Sequence, residues 1–183
     1  MENGQLPPTD RDLVRRARCG DHGAFHELVD RHARGLYGLA VSLVGNPADA
    51  EDVLQETFAG AFRGLRSFRG QSSVKTWLSQ ILVRQAAKHY RTQRRHGAGG
   101  LDERAAARPV VASAQQRADL RMDLSGAILA LGPEQREVIL LRELQGMSYE
   151  QIATVLGVPM GTVESRLFRA RRHLQDLLKE YLS

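Results

Sequence analysis

The chain is poor in cysteine and in aromatic residues. Its 183 residues include one cysteine, Cys19, so no intrachain disulfide can form, and such a composition is typical of a reducing compartment. Aromatic residues make up only 5% of the sequence, and no segment alternates apolar and polar residues as a half-buried strand does. These absences argue against a disulfide-stabilised secreted domain and against a sheet.

Long apolar runs are also missing. Aliphatic runs such as Val138–Leu141 are far too short to cross a bilayer, and the residues after Met1 lack the basic and apolar regions of a signal peptide. Hydrophobic residues nevertheless make up 42% of the chain, which is enough to form a core. We therefore expect a cytoplasmic protein without membrane insertion.

The sequence offers no arrangement of residues that is typical of catalysis. It has no glycine-rich phosphate loop and no recognisable combination of nucleophile and base. Cys19, His22 and His26 have a spacing that could hold zinc, but Gly20-Asp21 interrupts the segment and no fourth ligand is near. We therefore predict neither an enzyme nor a bound metal or cofactor.

Charge is distributed unevenly along the chain, whose net charge is +5. Positive charge is concentrated in Arg84–Arg95 and Arg166–Arg172, and negative charge in Asp49–Glu56. A basic surface favours an anionic partner, and an acidic one favours a basic protein. The pattern therefore predicts two kinds of partner.

Helical periodicity predicts an all-α fold of two small domains joined by a flexible linker. Residues 96–118 lack apolar periodicity and contain several glycines, so they are interpreted as the linker between domains 1–95 and 119–183. Since this linker has no apolar anchor, we expect the free chain to adopt many interdomain arrangements.

Four helices are predicted in the first domain. They begin near Thr9, after Asp21, at Pro47 and at Val74, and apolar residues recur at helical spacing in each. The expected buried positions of the third helix are Ala50, Val53, Leu54, Phe58, Ala61, Phe62 and Leu65. Trp77 of the fourth helix could stack on a base, but its apolar neighbours favour a place in the core.

The second domain is predicted to contain four helices, the last two of which form a helix-turn-helix. Apolar residues in the first helix are Leu120, Leu124, Ala127, Ile128 and Leu131; the second is predicted to begin at Pro133 and end at Gly146. Ser148 and Gln151 form a capping box before a short helix with Ile152, Ala153 and Leu156 inside, which Gly157 ends.

The last helix, from about Met160 to beyond Leu174, has two faces. Val163, Leu167, Ala170 and Leu174 are expected inside, whereas the residues expected to be free to reach the major groove are Thr162, Ser165, Arg166, Arg169 and Arg172. An arginine-rich helix can also be an ordinary solvated surface, but the preceding short helix and glycine turn favour DNA binding.

Four segments together resemble the extracytoplasmic-function sigma factors of RNA polymerase. Their sequences are DAEDVLQETF at residues 49–58, FRGQSSVKTWL at 68–78, LGPEQR at 131–136 and GTVESRL at 161–167. They have an order and spacing similar to those of the family and span nearly the whole chain.

The resemblance implies a subunit that directs core RNA polymerase to promoters. Its partners would be the clamp helices and flap of the polymerase, promoter DNA and an anti-sigma factor. The family match implies polymerase contacts by Asp52, Gln55 and Glu56. It implies minus-ten contacts by Arg69, Gln71, Ser72, Ser73, Lys75, Arg84, Lys88 and Arg91, and minus-thirty-five contacts by Thr162, Glu164, Ser165, Arg166, Phe168, Arg169 and Arg172.

Three positions differ from the residues found in many members of the family. Arg84 and Lys88 stand where uncharged or acidic residues are frequent, so we expect them to hold the DNA backbone rather than read a base. Glu164 replaces a residue that is often basic; it would accept a hydrogen bond from cytosine or weaken phosphate attraction.

Two other functions remain open. The alternatives to a sigma factor are a dimeric helix-turn-helix regulator with a sensory domain and an adaptor that binds only proteins.

Overall fold

The structure is a computed structural model that describes residues 7–95 and 124–179. All regular elements in these two ranges are helical, as predicted, and no strand occurs within them. The predicted linker, residues 96–118, lies outside the described residues. No helix in the described ranges is both long and apolar enough to cross a membrane.

The helices form an N-terminal and a C-terminal bundle. The N-terminal bundle contains α1 (Asp10–Arg18), α2 (His22–Val44), α3 (Pro47–Gly64), a 3-10 turn (Leu65–Ser67) and α4 (Val74–Arg95). The C-terminal bundle contains α5 (the helical residues 124–130), α6 (Pro133–Ile139), a π-helical turn (Leu140–Leu144), α7 (Tyr149–Leu156) and α8 (Met160–Leu177).

Side-chain caps begin the first three helices where the sequence predicts. The Thr9 hydroxyl accepts a hydrogen bond from the Asp12 amide at 3.2 Å, and the Asp21 carboxylate accepts one from the Ala24 amide at 3.0 Å. Asn46 caps α3, while Gly45 ends α2 in the left-handed region at φ +79°. These caps confirm the predicted beginnings of α1, α2 and α3.

The predicted buried face of α3 needs one correction. Phe62 is 48% exposed and contacts Phe25 edge-on, whereas Thr57, which was not predicted inside, is fully buried. Thr57 lies four residues from both Val53 and Ala61, so it falls on their side of the helix, and its hydroxyl donates to the Val53 carbonyl at 2.7 Å. Thr57 can therefore occupy a core position because its hydroxyl forms a hydrogen bond within its own helix.

Trp77 lies at the margin of the N-terminal core. It is half-buried, and its ring stacks on Phe68 with centroids 4.5 Å apart. The prediction of a core position therefore holds for part of the side chain.

In the C-terminal bundle, α6 begins and the following turn lies where predicted, but some residues of α5 and α7 are not buried as predicted. Pro133 lies in the first turn of α6, and Gly146 follows the π-helical turn with φ +65°. In α5, Ala127 is buried, whereas Leu124 is 42% exposed; Leu120 lies outside the described residues. In α7, Val155, which was not predicted inside, is buried, whereas the predicted Ala153 and Leu156 are half-buried.

The two bundles contact each other along α2 and α4. The Lys75 ammonium donates to the Gln145 carbonyl at 2.6 Å, and the Gln80 amide donates to the Thr154 carbonyl at 3.0 Å. The side chain of Gln145, itself buried, donates to the Gly35 carbonyl at 2.9 Å. The structure therefore shows one packed arrangement among those that the sequence leaves open.

Arg136 is the most deeply buried charged residue of this contact, at 4% exposure. Its guanidinium donates to the carbonyl of Leu43 at the end of α2 and to the hydroxyl of Tyr90 on α4. It also donates to carbonyls at the end of α5, namely those of Ile128, Leu129 and Leu131. One side chain thus connects α2 and α4 with the C-terminal bundle.

Replacing Arg136 by methionine should destabilise the protein, because several buried carbonyls would lose their donor. Hydrogen bonds to a charged group contribute about 1.5–3 kcal/mol each, so we expect a loss of at least about 2 kcal/mol in the free energy of unfolding. Urea unfolding measures it. Arg34→Met, which alters an exposed arginine on α2, should change stability by less than about 0.5 kcal/mol. Equal effects of the two variants would contradict the role given to Arg136.

Glu137 predicts a pH-dependent contribution to stability. It lines a cavity of about 210 Å³ between the bundles, together with Leu43 and Tyr90, and burial raises the pKa of its carboxyl. A carboxyl whose pKa is higher in the folded state opposes folding when ionised, and this cost disappears as the pH falls through the raised pKa. Glu137→Gln should therefore raise the melting temperature at pH 7 and lose this advantage in acid. The exposed control Glu51→Gln should show no such gain; a gain independent of pH would contradict the assignment.

Candidate nucleic-acid interface

The turn between α7 and α8 is built as the sequence predicts. The Ser148 hydroxyl accepts from the Gln151 amide at 3.3 Å, and the Gln151 side chain accepts from the Ser148 amide at 2.9 Å. Gly157 ends α7 with φ +67°, a conformation that favours glycine, and Pro159 precedes the first residue of α8. This short turn holds the two helices of the predicted helix-turn-helix together.

Helix α8 has the two faces that its sequence predicts. Val163, Leu167 and Ala170 are fully buried against the C-terminal bundle. Thr162 is half-buried, and the other face exposes Glu164, Ser165, Phe168, Arg169 and Arg172. Because the apolar residues hold the helix to its bundle, the polar face remains accessible.

Arg166 does not lie where the sequence predicts. Its side chain is only 15% exposed and forms an ion pair with Glu134 of α6 at 2.7 Å. The residue lies three positions after Val163 and one before Leu167, at the border of the buried face, so α6 is within its reach. Arg166 is therefore not free to reach outward in this arrangement.

Arg169 and Arg172 remain accessible. The Arg169 side chain donates to the Ser165 carbonyl at 3.2 Å within α8, and within the described ranges neither arginine has a carboxylate within ion-pair distance. Phe168 is 67% exposed beside them. The neighbouring Arg171, by contrast, pairs with Glu143 at 2.9 Å. The accessible positive charge of this helix thus comes mainly from Arg169 and Arg172.

The loop before α4 and the first turn of α4 are only partly available. Arg69 and Gln71 are exposed and Ser72 is half-buried, whereas the Ser73 hydroxyl accepts from the Thr76 amide at 3.0 Å. Ser73 therefore stabilises the beginning of α4, and Lys75 is engaged with Gln145. Sequence reasoning missed both contacts, although serine before a helix is a frequent capping residue.

Further along α4, three cations share one exposed side of the helix. Arg84, Lys88 and Arg91 are all exposed, and their spacing of four and three residues places them one above the other. They form a basic stripe on α4.

The acidic surface lies on α3. Asp52, Gln55 and Glu56 are exposed on the side opposite the buried residues Val53 and Ala61. Glu56 lies 3.8 Å from Arg63, but both side chains are largely solvated, so this ion pair contributes little. The three side chains are available to a partner.

Cys19, His22 and His26 have a spacing that could hold zinc, but the sequence predicts no metal site there. His22 stacks on Phe62, His26 lies 3.7 Å from Asp30, and Cys19 is exposed. No group of three or more metal-ligating side chains that could hold an ion occurs in the part of the chain that the structure describes.

Comparison with protein families matches both bundles. Residues 28–96 match the family Sigma-70 region 2, and residues 121–174 match the family Sigma-70, region 4. The chain is 37% identical over 188 residues to the RNA polymerase sigma-H factor of Pseudomonas aeruginosa, with 93% of this chain and 96% of the relative covered. It is 37% identical over 179 residues to the ECF RNA polymerase sigma-E factor of Escherichia coli K12, with 92% and 93% covered.

Two solved structures have a similar fold, each with a TM-score of 0.72. One is CnrH in complex with the cytosolic domain of CnrY, at 30% identity, covering 93% of this chain and 97% of that chain. The other is the sigma factor RpoE from Bartonella quintana in complex with the anti-sigma factor NepR, at 34% identity, covering 85% and 96%.

Proposed function

The chain belongs to the extracytoplasmic-function sigma factors of RNA polymerase. We propose that its exposed surface on α3 binds the polymerase, and that those on α4 and α8 bind two different elements of the promoter. As a sigma factor it directs core polymerase to promoters, and the dimeric-regulator alternative is not favoured. It would act in the cytoplasm and would catalyse no reaction of its own, since RNA synthesis belongs to the polymerase.

We assign the polymerase contact to Asp52, Gln55 and Glu56 of α3. Their exposed carboxylates and amide suit a basic protein surface and repel DNA. The clamp helices of the polymerase would bind here, and its flap would contact the C-terminal bundle.

The minus-ten element would bind at the loop before α4 and along the basic stripe. Arg69, Gln71 and Ser72 offer a cation and hydrogen-bonding groups for unstacked bases and phosphates, and Arg84, Lys88 and Arg91 offer further positive charge. Ser73 would act by fixing the beginning of α4. Lys75 can reach DNA only after its bond to Gln145 is broken.

The minus-thirty-five element would bind as duplex at α8. Thr162, Glu164 and Ser165 lie in the first two turns, where base edges are read in helix-turn-helix proteins, while Arg169 and Arg172 would hold phosphates. Phe168 would offer an apolar contact, and Arg166 would take part only if its pair with Glu134 opened.

We also expect an anti-sigma factor as a partner. One similar solved sigma factor is bound to such a protein. A partner that covered the carboxylates of α3 or the arginines of α4 and α8 would exclude polymerase or promoter DNA from the same surfaces.

The proposal depends on one observation: the acidic surface of α3 and the basic surfaces of α4 and α8 are all exposed on helices whose apolar faces are buried. In vitro transcription with sigma-free core polymerase on genomic fragments tests it. We expect specific initiation only when the protein is added. A regulator that is not a polymerase subunit would bind DNA without enabling initiation.

The double variant Asp52→Lys/Glu56→Lys should abolish polymerase binding in a pull-down. Like charges placed opposite each other cost several kcal/mol, which corresponds to a loss in affinity of about a hundredfold or more. Asp30→Lys, an exposed acid on α2 changed in the same sense, serves as the control and should bind normally. Unchanged binding by the double variant would reject the α3 assignment.

Arg169→Ala should weaken binding of duplex minus-thirty-five DNA by the holoenzyme and flatten its dependence on salt. Loss of one phosphate contact lowers the slope of log K against log salt concentration by about 0.9. Arg171→Ala is the matched control, since Arg171 is already paired with Glu143 and should leave the slope unchanged. An unaltered slope for Arg169→Ala would show that this side chain does not contact phosphate.

A further inference from the structure

A wide groove separates α1 from the loop that precedes α4. Its volume is about 1100 Å³, and residues 9–19 of α1 and its cap form one wall, while residues 68–74 form the other. Arg69, Ser72 and Ser73 of the second wall belong to the proposed minus-ten surface. The first wall has no role in the function described so far.

Positive charge predominates in this groove. Arg11, Arg15 and Arg18 recur at a spacing of four and three residues along α1, and Arg69 lies on the opposite wall. Arg15 pairs with Asp12, and Arg18 donates to the Arg66 carbonyl at 3.3 Å. The remaining two arginines, Arg11 and Arg69, are exposed, and in the described part of the chain Arg11 acts on Asp12 only by its charge, without a hydrogen bond.

The two carboxylates in the groove, those of Asp10 and Asp12, already have hydrogen-bond or ion-pair partners within the protein. Asp10 accepts from His32 at 2.8 Å and pairs with Arg31 at 3.3 Å. Asp12 accepts from the Thr9 hydroxyl at 2.7 Å, and this hydrogen bond holds the pKa of Asp12 below its ordinary value. Four guanidinium groups against two internally bound carboxylates leave a net positive surface.

The floor and the far wall of the groove are suited to a single strand of nucleic acid. Val14 and Val74 are buried beneath the groove, and Phe68 reaches it with one face already stacked on Trp77. Gly70 adopts φ +70°, and a Cβ there would meet nothing within 4 Å, so a ligand backbone can approach closely. Ser72 adds a hydroxyl at the same place.

The arrangement of the arginines indicates the class of ligand. Arg11 and Arg18 lie seven residues apart, which is about 10 Å along a helix axis. A row of this length that faces Arg69 across a wide groove suits an extended polyanion better than a single phosphate. The row also lies directly across from the loop at which we expect promoter DNA to be single-stranded.

We propose that the groove binds the phosphates of single-stranded promoter DNA as the strand leaves the loop before α4, with Arg11 and Arg15 of α1 as the main contacts. This inference rests on the proposed function of the loop and extends the DNA-binding surface to α1. Arg15 would exchange its exposed pair with Asp12 for a phosphate, and such an exposed pair costs little to break.

The single cysteine of the chain permits a direct test, because Cys19 is exposed and lines the groove. The protein is labelled at Cys19 with a photoactivatable azidophenacyl group, assembled with core polymerase and bound to a promoter found by the transcription assay. We expect cross-links to a few adjacent nucleotides of the single-stranded non-template strand. A Cys19→Ser/Asp30→Cys protein, labelled outside the groove, should not form them. Cross-links only to a polymerase subunit, or none to DNA, would overturn the proposal.

Charge removal provides the second measurement. Arg11→Gln/Arg15→Gln holoenzyme should bind a promoter with a pre-melted bubble at least tenfold more weakly, and its salt slope should fall by about 1.4, since each single-strand contact contributes about 0.7. Arg34→Gln, an exposed arginine on α2 outside the groove, should behave as wild type. Binding of core polymerase and urea unfolding should be unchanged in both variants.

The outcomes distinguish this inference from the proposed function. If the wild-type holoenzyme initiates and the double variant keeps both its affinity and its salt slope, the groove assignment alone is wrong. If the wild-type protein never enables initiation, the sigma-factor function is wrong and the groove assignment is overturned with it.

Discussion

The buried guanidinium of Arg136 is the contact on which the arrangement of the two bundles depends. Removing such a group from water is costly unless its donors are satisfied, and no carboxylate in the described residues lies within ion-pair distance of it. Carbonyl oxygens at the ends of α2 and α5 take that place, and the negative ends of these helices favour a cation. Since the two helices belong to different bundles, this one side chain joins them, and the hydrogen bonds of Lys75, Gln80 and Gln145 reinforce the contact.

The same contact determines which surfaces remain free. With α2 and α4 held against the π-helical turn and α7, Lys75 and Gln80 are engaged in hydrogen bonds across the contact. The acidic side of α3 and the polar face of α8 take no part in it and stay exposed. The surfaces that we propose for protein and DNA binding therefore remain accessible while the bundles are in contact.

Local features of this fold could be predicted from sequence, because each depends on a few neighbouring residues. The caps at Thr9 and Ser148 and the glycine turn at Gly157 lie where their sequence patterns place them, and Val163 and Leu167 are buried as their spacing requires. The class of protein could be recognised because four such segments occur in the family's order.

Contacts between distant segments could not be predicted in this way. The residues that Arg136 joins, such as Leu43, are up to 93 positions away, and no periodicity within α6 indicates that an arginine would be buried there. Arg166 was expected to be free because its neighbours in sequence do not reveal Glu134 of another helix. Phe62 was expected inside because it is apolar. Around the axis of α3, however, Thr57 lies on the buried side with Val53 and Ala61, and Phe62 is partly exposed.

These differences change how the basic residues should be understood. A positive charge attracts phosphate strongly only where no internal partner already neutralises it or holds it in place. Arg166 is held by Glu134 and Lys75 by the Gln145 carbonyl, so both must break a contact before they can bind DNA. Arg84 and Arg169 are exposed and need break no ion pair, and the hydrogen bond of Arg169 to the Ser165 carbonyl stays within α8 and uses only its Nε. In this arrangement the strength of DNA binding should therefore follow the accessible cations of α1, α4 and α8 rather than the number of arginines in the sequence.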